Sequence, residues 1–184
     1  MKVVAVCIGE KKLINWKGKI VETGIFKYPV KEIELDFEEV VSDAIVNRKH
    51  HGGIEQAVYA YGENHYGYWK EKYPNADFDF GMFGENLTIS DLDETQIHSG
   101  EQYKLGTAII EVTKPRDPCM KLGVRFGTQD ILKPFWNSTM CGVYFKVLQK
   151  GKVRPGDELI LIKSSETRPT IAEMYNENRI KKGQ

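Results

Sequence analysis

The stretch QYKLGTAIIEVT, residues 102–113, has the pattern of a β-hairpin. Two runs of β-forming residues flank Gly106, and a glycine between such runs is typical of a tight turn. We therefore predict a pair of antiparallel strands at residues 102–105 and 107–113.

Similar short β-rich runs recur at residues 3–8, 19–28, 40–46, 86–90, 142–148 and 158–163. The turn PGD at residues 155–157 leads into LILI at 159–162, a run apolar enough to predict burial on both faces. Many short strands with turn signals predict a closed or partly closed barrel, because closure leaves few exposed strand edges. The predicted fold class is mainly β, a β-rich α+β protein with a barrel-like sheet and a few flanking helices.

Three segments predict helices. An apolar stripe from Ile54 to Trp69 has helical spacing and stops before Pro74. A shorter helix is predicted at residues 128–136. Thr170 and Glu173 form a capping-box signature at the start of a C-terminal helix. We predict one domain at residues 1–165, followed by a helical tail at residues 166–184.

The composition is that of an ordinary soluble globular protein, with 28% charged and 41% hydrophobic residues among 184. Basic and acidic residues balance at 26 each, so no basic field indicates nucleic acid or an anionic membrane as the main partner. The apolar run at residues 3–8 is too short for the core of a signal peptide. Three widely spaced cysteines argue against a disulfide framework and predict a cytoplasmic location.

One cysteine lies in an unusual loop, TKPRDPCMKLG at residues 113–123. Asp117 and Pro118 have the pattern of a helix N-cap and first turn, with Gly123 as the stop. That arrangement would place Cys119 where the helix dipole and the cations of the loop favour a thiolate. A thiolate attacks electrophiles or binds a soft metal. Burial as a structural cysteine is the competing interpretation, and the residues alone leave both open.

The other two cysteines, Cys7 and Cys141, lie inside apolar strand runs. Neither has prolines or clustered cations around it. We therefore predict that both are core residues.

Two further segments could contact a ligand. In RKHHGGIEQ, residues 48–56, Gly52 and Gly53 would let the backbone approach an anion such as a phosphate, although two glycines are also a common connector. His51 could contact the ligand, whereas His65 is predicted to be a satisfied core histidine. In FGENL, residues 83–87, Asn86 could hydrogen bond to the edge of a heterocycle, or it could simply form a turn.

Several familiar cofactor motifs are absent from the sequence. The cysteines form no C-x-x-C pair and the histidines have no zinc-ligand spacing. No G-x-G-x-x-G follows a strand, and there is no Walker loop. We therefore recognise no zinc, nicotinamide or iron–sulfur site, and electrons for any redox chemistry would come from another protein or a soluble reductant.

Taken together and in order, these segments resemble the MOSC domain, the C-terminal domain of molybdenum-cofactor sulfurases. HGG at 51–53, FGENL at 83–87 and PRDPCMKL at 115–122 carry the resemblance, which is closest to the small bacterial YiiM-like branch. It extends to WKGK at 16–19 and VRPGD at 153–157, and so covers nearly the whole domain. The resemblance implies a barrel-like MOSC fold that binds the pyranopterin form of the molybdenum cofactor.

The resemblance also implies an activity. YiiM-like members reduce N-hydroxylated compounds, including N-hydroxylated purines, with electrons from partner proteins. The expected function is therefore a molybdenum-dependent reductase that acts on a small-molecule substrate with an external electron donor. Two alternatives are a sulfur transferase that carries a persulfide on Cys119 and a carrier that binds the cofactor without turnover.

The resemblance assigns roles to individual residues. Cys119 would be the molybdenum ligand and the catalytic residue, and Arg116 and Lys121 would balance the anionic cofactor. The phosphate would be held by His51, Gly52 and Gly53, while Glu85 and Asn86 would orient the pterin. Arg48 and Gly84 complete the predicted cofactor-binding set.

Overall fold

A computed structural model describes residues 1–44, 46 and 52–184. In that part of the chain, strands predominate and the helices are short. The strands are β1 (Val3–Gly9), β2 (Lys12–Trp16), β3 (Lys19–Thr23), β4 (Lys27–Val30), β5 (Ile33–Leu35), β6 (Val58–Gly62), β7 (Leu87–Ile89), β8 (Gln102–Leu105), β9 (Ala108–Pro115), β10 (Val143–Gln149), β11 (Gly151–Val153) and β12 (Leu159–Lys163). The α-helices are α1 (Tyr66–Lys72), α2 (Met120–Phe126), α3 (Leu132–Trp136) and α4 (Ile171–Lys181).

Eight strands form one large mixed sheet in the order β12-β8-β9-β10-β6-β7-β1-β4. All its neighbouring pairs are antiparallel except β6 and β7, which are parallel. An isolated bridge from Lys2 to Glu158 brings the start of β1 back to β12, so the sheet curls towards closure without becoming a complete barrel. The predicted mainly β, barrel-like fold class is confirmed.

The hairpin predicted at residues 102–113 is present. Strands β8 and β9 pair from Leu105 with Ala108 to Gln102 with Glu111, and Gly106 has a φ of 55° in the turn. Leu105, Ala108 and Ile110 are fully buried, so this hairpin contributes one wall of the core. Strand β10 pairs along the other edge of β9 and carries the hairpin into the middle of the sheet.

The predicted long helix from Ile54 to Trp69 is wrong. Residues 54–56 form a single 3₁₀ turn, Val58–Gly62 is strand β6, and α1 begins only at Tyr66. All five residues of β6 are buried between β10 and β7. A strand buried on both faces has no polar side, so its apolar residues also fall at helical spacings, and tertiary pairing decides between the two structures.

Two strand predictions also need correction. Among the described residues of the run at 40–46, Val40 alone makes a β-bridge, to Leu35, and the others lie in a turn and coil. Strand β12 exists, but Ile160, Leu161 and Ile162 are each about half exposed rather than buried. Strand β12 lies at the edge of the sheet, and the described residues do not fully cover either of its faces.

The C-terminal helix begins at the predicted cap. Thr170 Oγ1 accepts from the Glu173 amide at 3.2 Å, and Glu173 Oε2 accepts from the Thr170 amide at 2.8 Å, which is the complete capping box. Tyr175 of α4 stacks on Trp136 with ring centroids 5.2 Å apart. The C-terminal helix therefore packs onto the rest of the domain. The predicted boundary between a domain at residues 1–165 and a tail at residues 166–184 stays a prediction. Among the described helices, none combines the length and the apolar character that a membrane crossing requires.

Candidate functional site

A cleft that is partly open to solvent lies where α2 meets the ends of the central strands. It brings together residues that are far apart in the sequence. Of the predicted site residues, it is lined by Gly52, Gly84, Asn86, Arg116, Cys119 and Lys121. Gly53 and Glu85 do not line it, and Arg48 and His51 lie outside the described residues.

Cys119 occupies the N-cap of α2, not its first turn. The helix runs from Met120 to Phe126 and ends at Gly127, whose φ of 72° is the left-handed conformation. The predicted roles of Asp117 as cap and Gly123 as stop are therefore wrong. Asp117 instead accepts from Lys182 Nζ at 2.6 Å, which fastens the loop to the C-terminal helix.

The three cysteines differ in their access to the cleft. Cys119 is partly exposed and lines it, whereas Cys7 and Cys141 are completely buried. Burial raises the pKa of both buried thiols well above the ordinary value, so they remain protonated. The prediction that Cys7 and Cys141 are core residues is confirmed, and Cys119 is the one thiol among the cleft-lining residues.

Arg116 is a buried cation without a buried counter-charge. Its side chain is packed over the Tyr59 ring at 4.6 Å from the centroid, and Nη1 donates to the Phe83 carbonyl. In the described part of the chain, no carboxylate forms an ion pair with it. Burial opposes the charge, but Tyr59, Tyr144 and Cys119 outweigh burial and raise the pKa of Arg116, so the guanidinium stays charged. An anion bound in the cleft would supply the missing counter-charge for Arg116.

The Glu85 side chain stabilises the neighbouring loop at residues 81–83 through hydrogen bonds from the protein interior. Its fully buried carboxylate accepts from the amides of Gly81 at 2.8 Å and Phe83 at 3.0 Å, from Thr88 Oγ1 at 3.0 Å, and from the Tyr66 hydroxyl. These contacts fix the turn that presents the Phe83 carbonyl to the guanidinium. The structure therefore gives Glu85 a place behind the cleft wall.

Asn86 faces the cleft, but its amide group is already bonded to protein groups. Its Nδ2 donates to the Cys7 carbonyl at 3.3 Å and to Asp43 Oδ2 at 2.9 Å. Its Oδ1 accepts from the Tyr59 amide at 3.3 Å. This side chain joins β1, β6 and the loop at Asp43, and so shapes the floor of the cleft.

Three cleft residues were not singled out from the sequence, namely Lys27, Asp43 and Tyr144. Lys27 Nζ and Asp43 Oδ2 form a buried ion pair at 2.5 Å, and Asp43 Oδ1 accepts from the Gly9 amide at 2.9 Å. Tyr59 and Tyr144 form an aromatic wall, with ring centroids 5.1 Å apart. Lys27 and Asp43 are 16 residues apart in the sequence, and no local sequence motif predicts that they pair.

The glycine pair before Ile54 is placed differently from the prediction. Gly52 lines the cleft with a φ of 78°, and Gly53, with a φ of 81°, leads into a three-residue 3₁₀ turn. The long helix start that would have supported a phosphate is therefore not present. The role of Gly52 and Gly53 in binding a phosphate stays a prediction.

His65 and Glu94 form a polar contact behind this cleft. His65 Nε2 lies 2.9 Å from Glu94 Oε2, and Glu94 Oε1 accepts from the Gly142 amide at 2.8 Å. The described residues form no cluster of three or more histidine, cysteine, aspartate or glutamate side chains suited to a metal ion.

Gly142 fixes the position of the Tyr59 ring. Its φ is 70°, and a Cβ atom there would lie 2.5 Å from the Ala60 carbonyl oxygen and 2.7 Å from Tyr59 Oη. We expect Gly142→Ala to lower the free energy of unfolding by about 3 kcal/mol, through the left-handed conformation and the clash together.

The matched control is Gly18→Ala. Gly18 has a φ of 80°, and nothing lies within 4 Å of its Cβ position, so only the conformational cost of about 1 kcal/mol is expected. Urea unfolding of both variants measures the difference. Equal losses would contradict the proposed contact between residue 142 and the Tyr59 ring.

Residues 47–160 match the sequence model of the MOSC domain. The chain belongs to the MOSC domain family. The uncharacterized protein YflK of Bacillus subtilis is 34% identical over 89% of this chain and 74% of its own length. YiiM of Escherichia coli is 32% identical over 72% of this chain, and a fungal protein from Gibberella moniliformis named "Reductase" is 37% identical over 61% of it.

Solved structures agree with this membership. The crystal structure of YiiM from Geobacillus stearothermophilus covers 100% of this chain and 86% of its own, with 30% identity and a TM-score of 0.80. The MOSC protein therefore belongs to the YiiM-like branch. It spans 63% of the length of E. coli YiiM and 20% of the length of the fungal reductase.

Proposed function

We propose that this MOSC protein binds the pyranopterin molybdenum cofactor and reduces N-hydroxylated compounds, N-hydroxylated purines among them, with electrons from an external donor protein. The observation that carries the proposal is the pairing of Arg116, a buried and uncompensated cation, with the thiol of Cys119 in one cleft. A relative named "Reductase" supports the same class of chemistry.

The cleft residues suit the negative charge of that cofactor and the preference of its metal for sulfur ligands. Arg116 and Lys121 supply positive charge for an anionic pterin phosphate, and Cys119 supplies a sulfur ligand of the kind that soft metals prefer.

The chain's own residues would orient the reactants. When bound, the cofactor would supply the two-electron reduction that removes oxygen from the N–OH group. Tyr59 and Tyr144 form an aromatic wall of two rings inclined at 43° to each other, which a purine ring can contact. Lys27, held by Asp43, keeps ammonium protons at the cleft floor that can donate hydrogen bonds to a bound ring. The reaction as a whole takes up two electrons and two protons and releases water.

The test begins with protein made in a host that synthesises the cofactor and purified without oxygen. We expect bound molybdenum by elemental analysis and conversion of 6-hydroxylaminopurine to adenine with a chemical electron donor. Absence of molybdenum would contradict the proposal. Molybdenum without turnover would instead identify a cofactor carrier.

Sulfur transfer is distinguished by mass spectrometry. Exposure to a sulfur donor would add sulfur to the partly exposed Cys119 if the protein were a persulfide carrier. We expect the thiol of the molybdenum-loaded protein to remain unmodified, because the metal occupies it.

A further inference from the structure

A second group of cations lies at the edge of the cleft, around the ring of Phe26. We call Lys12 and Arg125 the rim cations. Lys121 lines the cleft, and Arg125 follows it by four residues in α2, so the two lie on the same face of the helix. The guanidinium carbon of Arg125 is 5.1 Å from the Phe26 centroid, and Lys12 Nζ approaches the same ring from β2 at 5.2 Å.

Phe26 places this group beside the cleft. Its two neighbours in the chain, Ile25 and Lys27, both line the cleft. Four residues of helix correspond to a rise of about 6 Å, so Arg125 lies about one turn further along α2 than Lys121, which lines the cleft. Neither rim cation lines the cleft itself, so a substrate would have to extend beyond the cleft wall by about one helical turn to reach Arg125.

The rim cations carry positive charge that the protein does not balance. Lys12 Nζ donates to the Tyr28 hydroxyl at 3.0 Å, but within residues 1–44, 46 and 52–184 neither rim cation forms an ion pair with a carboxylate. The two ring distances, 5.2 Å and 5.1 Å, together limit the separation of Lys12 Nζ and the Arg125 guanidinium carbon to about 10 Å, within the range where like charges repel. An anion bound close to both cations would relieve this repulsion.

Arg125 also has an unused donor. Its Nε is buried and has no hydrogen-bond acceptor, and no other buried side-chain nitrogen or oxygen of the described residues is left in that state. Leaving a buried donor unsatisfied is unfavourable, and an arginine packed on an aromatic ring can turn its guanidinium plane towards an incoming oxyanion. Both observations therefore indicate a binding site for a phosphate group, which arginine recognises through paired hydrogen bonds.

We propose that the rim cations bind a phosphate group carried by the substrate, so that this protein acts on N-hydroxylated purine nucleotides in preference to the free bases. The inference rests on the proposed reductase function. Arg116 is buried, lines the same cleft as Cys119 and is available to the anionic cofactor, whereas Arg125 lies further along α2 and Lys12 lies on β2. The phosphate takes no part in the chemistry: the N–O bond is reduced with two electrons and two protons, and water leaves.

The test compares 6-hydroxylaminopurine, its ribonucleoside and its nucleoside 5′-monophosphate as substrates of the molybdenum-loaded protein. We expect kcat/KM to favour the monophosphate over the nucleoside by about tenfold or more. Arg125→Met keeps the apolar stem on Phe26 but should reduce that preference by about tenfold, and Lys12→Met should reduce it by a smaller factor. The control is Lys104→Met, an exposed lysine on β8. Equal kcat/KM for nucleoside and monophosphate in the unmodified protein would overturn the proposal.

Calorimetry separates a failure of this proposal from a failure of the reductase function. Adenosine monophosphate should bind more tightly than adenosine, and Arg125→Met should remove the difference. That binding result without turnover of any N-hydroxylated form would contradict the reductase function while supporting the phosphate site. Loss of molybdenum from Arg125→Met would overturn the present inference, because it would assign the rim cations to the phosphate of the cofactor.

Discussion

Cys119→Ser is expected to lose bound molybdenum. Its kcat/KM for N-hydroxylated substrates should fall by more than a factor of about 100. Loss of a residue that merely supports a metal ligand lowers affinity or activity by about 10–100-fold, so loss of the ligand itself should exceed that range. Cys119 is the one thiol among the residues that line the cleft, and a serine hydroxyl is a harder ligand that is not ionised at neutral pH. Elemental analysis and kcat/KM measure the two effects.

Cys7→Ala provides the control for this experiment. Cys7 is completely buried, and its hydrogen bonds to Asn86 are made by the backbone, so the variant keeps the geometry of the cleft floor. We expect it to retain wild-type molybdenum per folded molecule, with some loss of stability. Full retention of molybdenum in Cys119→Ser would show that the thiol is not the ligand.

Arg116→Met is expected to separate stability from cofactor binding. The change removes one hydrogen bond to the Phe83 carbonyl, but it also removes a buried charge that no carboxylate among the described residues neutralises. These contributions oppose each other, so the free energy of unfolding of the cofactor-free protein should change by no more than about 1 kcal/mol. Cofactor retention should fall by about a hundredfold, because a desolvated cation at an anion site is removed.

Denaturant unfolding of the cofactor-free variant and elemental analysis of the loaded variant measure these two quantities. Arg154→Met is the matched control, because Arg154 is an exposed arginine whose guanidinium pairs with Glu32 at 2.5 Å. Both quantities should remain close to wild type in the control. A strongly destabilised Arg116→Met protein that still retained the cofactor would show that Arg116 supports the fold rather than the ligand.

The sequence predicted best where the signal is local. The hairpin around Gly106 and the capping box of Thr170 and Glu173 are both present, because each depends on residues within a few positions of one another. The helix predicted from Ile54 to Trp69 failed for the opposite reason. Burial of every residue of β6 depends on β7 and β10, which come from distant parts of the chain.

The candidate site shows the same division. The loop at residues 113–123 identified Cys119, Arg116 and Lys121 as a group, and all three line one cleft. Asn86 was recognised as a polar group, but the sequence gave no sign that Cys7, Asp43 and Tyr59 would use its amide. Hydrogen-bond partners of buried side chains are set by packing, so motif reasoning finds the residue but not its bonds.

The sequence by itself determined the family, the β-rich class and the cysteine loop, since these depend on the order and spacing of residues along the chain. Only the tertiary structure decided that Arg116 is buried without a counter-charge, that Lys27 pairs with Asp43, and that Lys12 and Arg125 share one aromatic ring. The physical reason is that charge compensation and burial are properties of three-dimensional neighbourhoods. Lys12 and Arg125 are separated by more than half of the chain, and the folding of β2 and α2 against Phe26 brings them together.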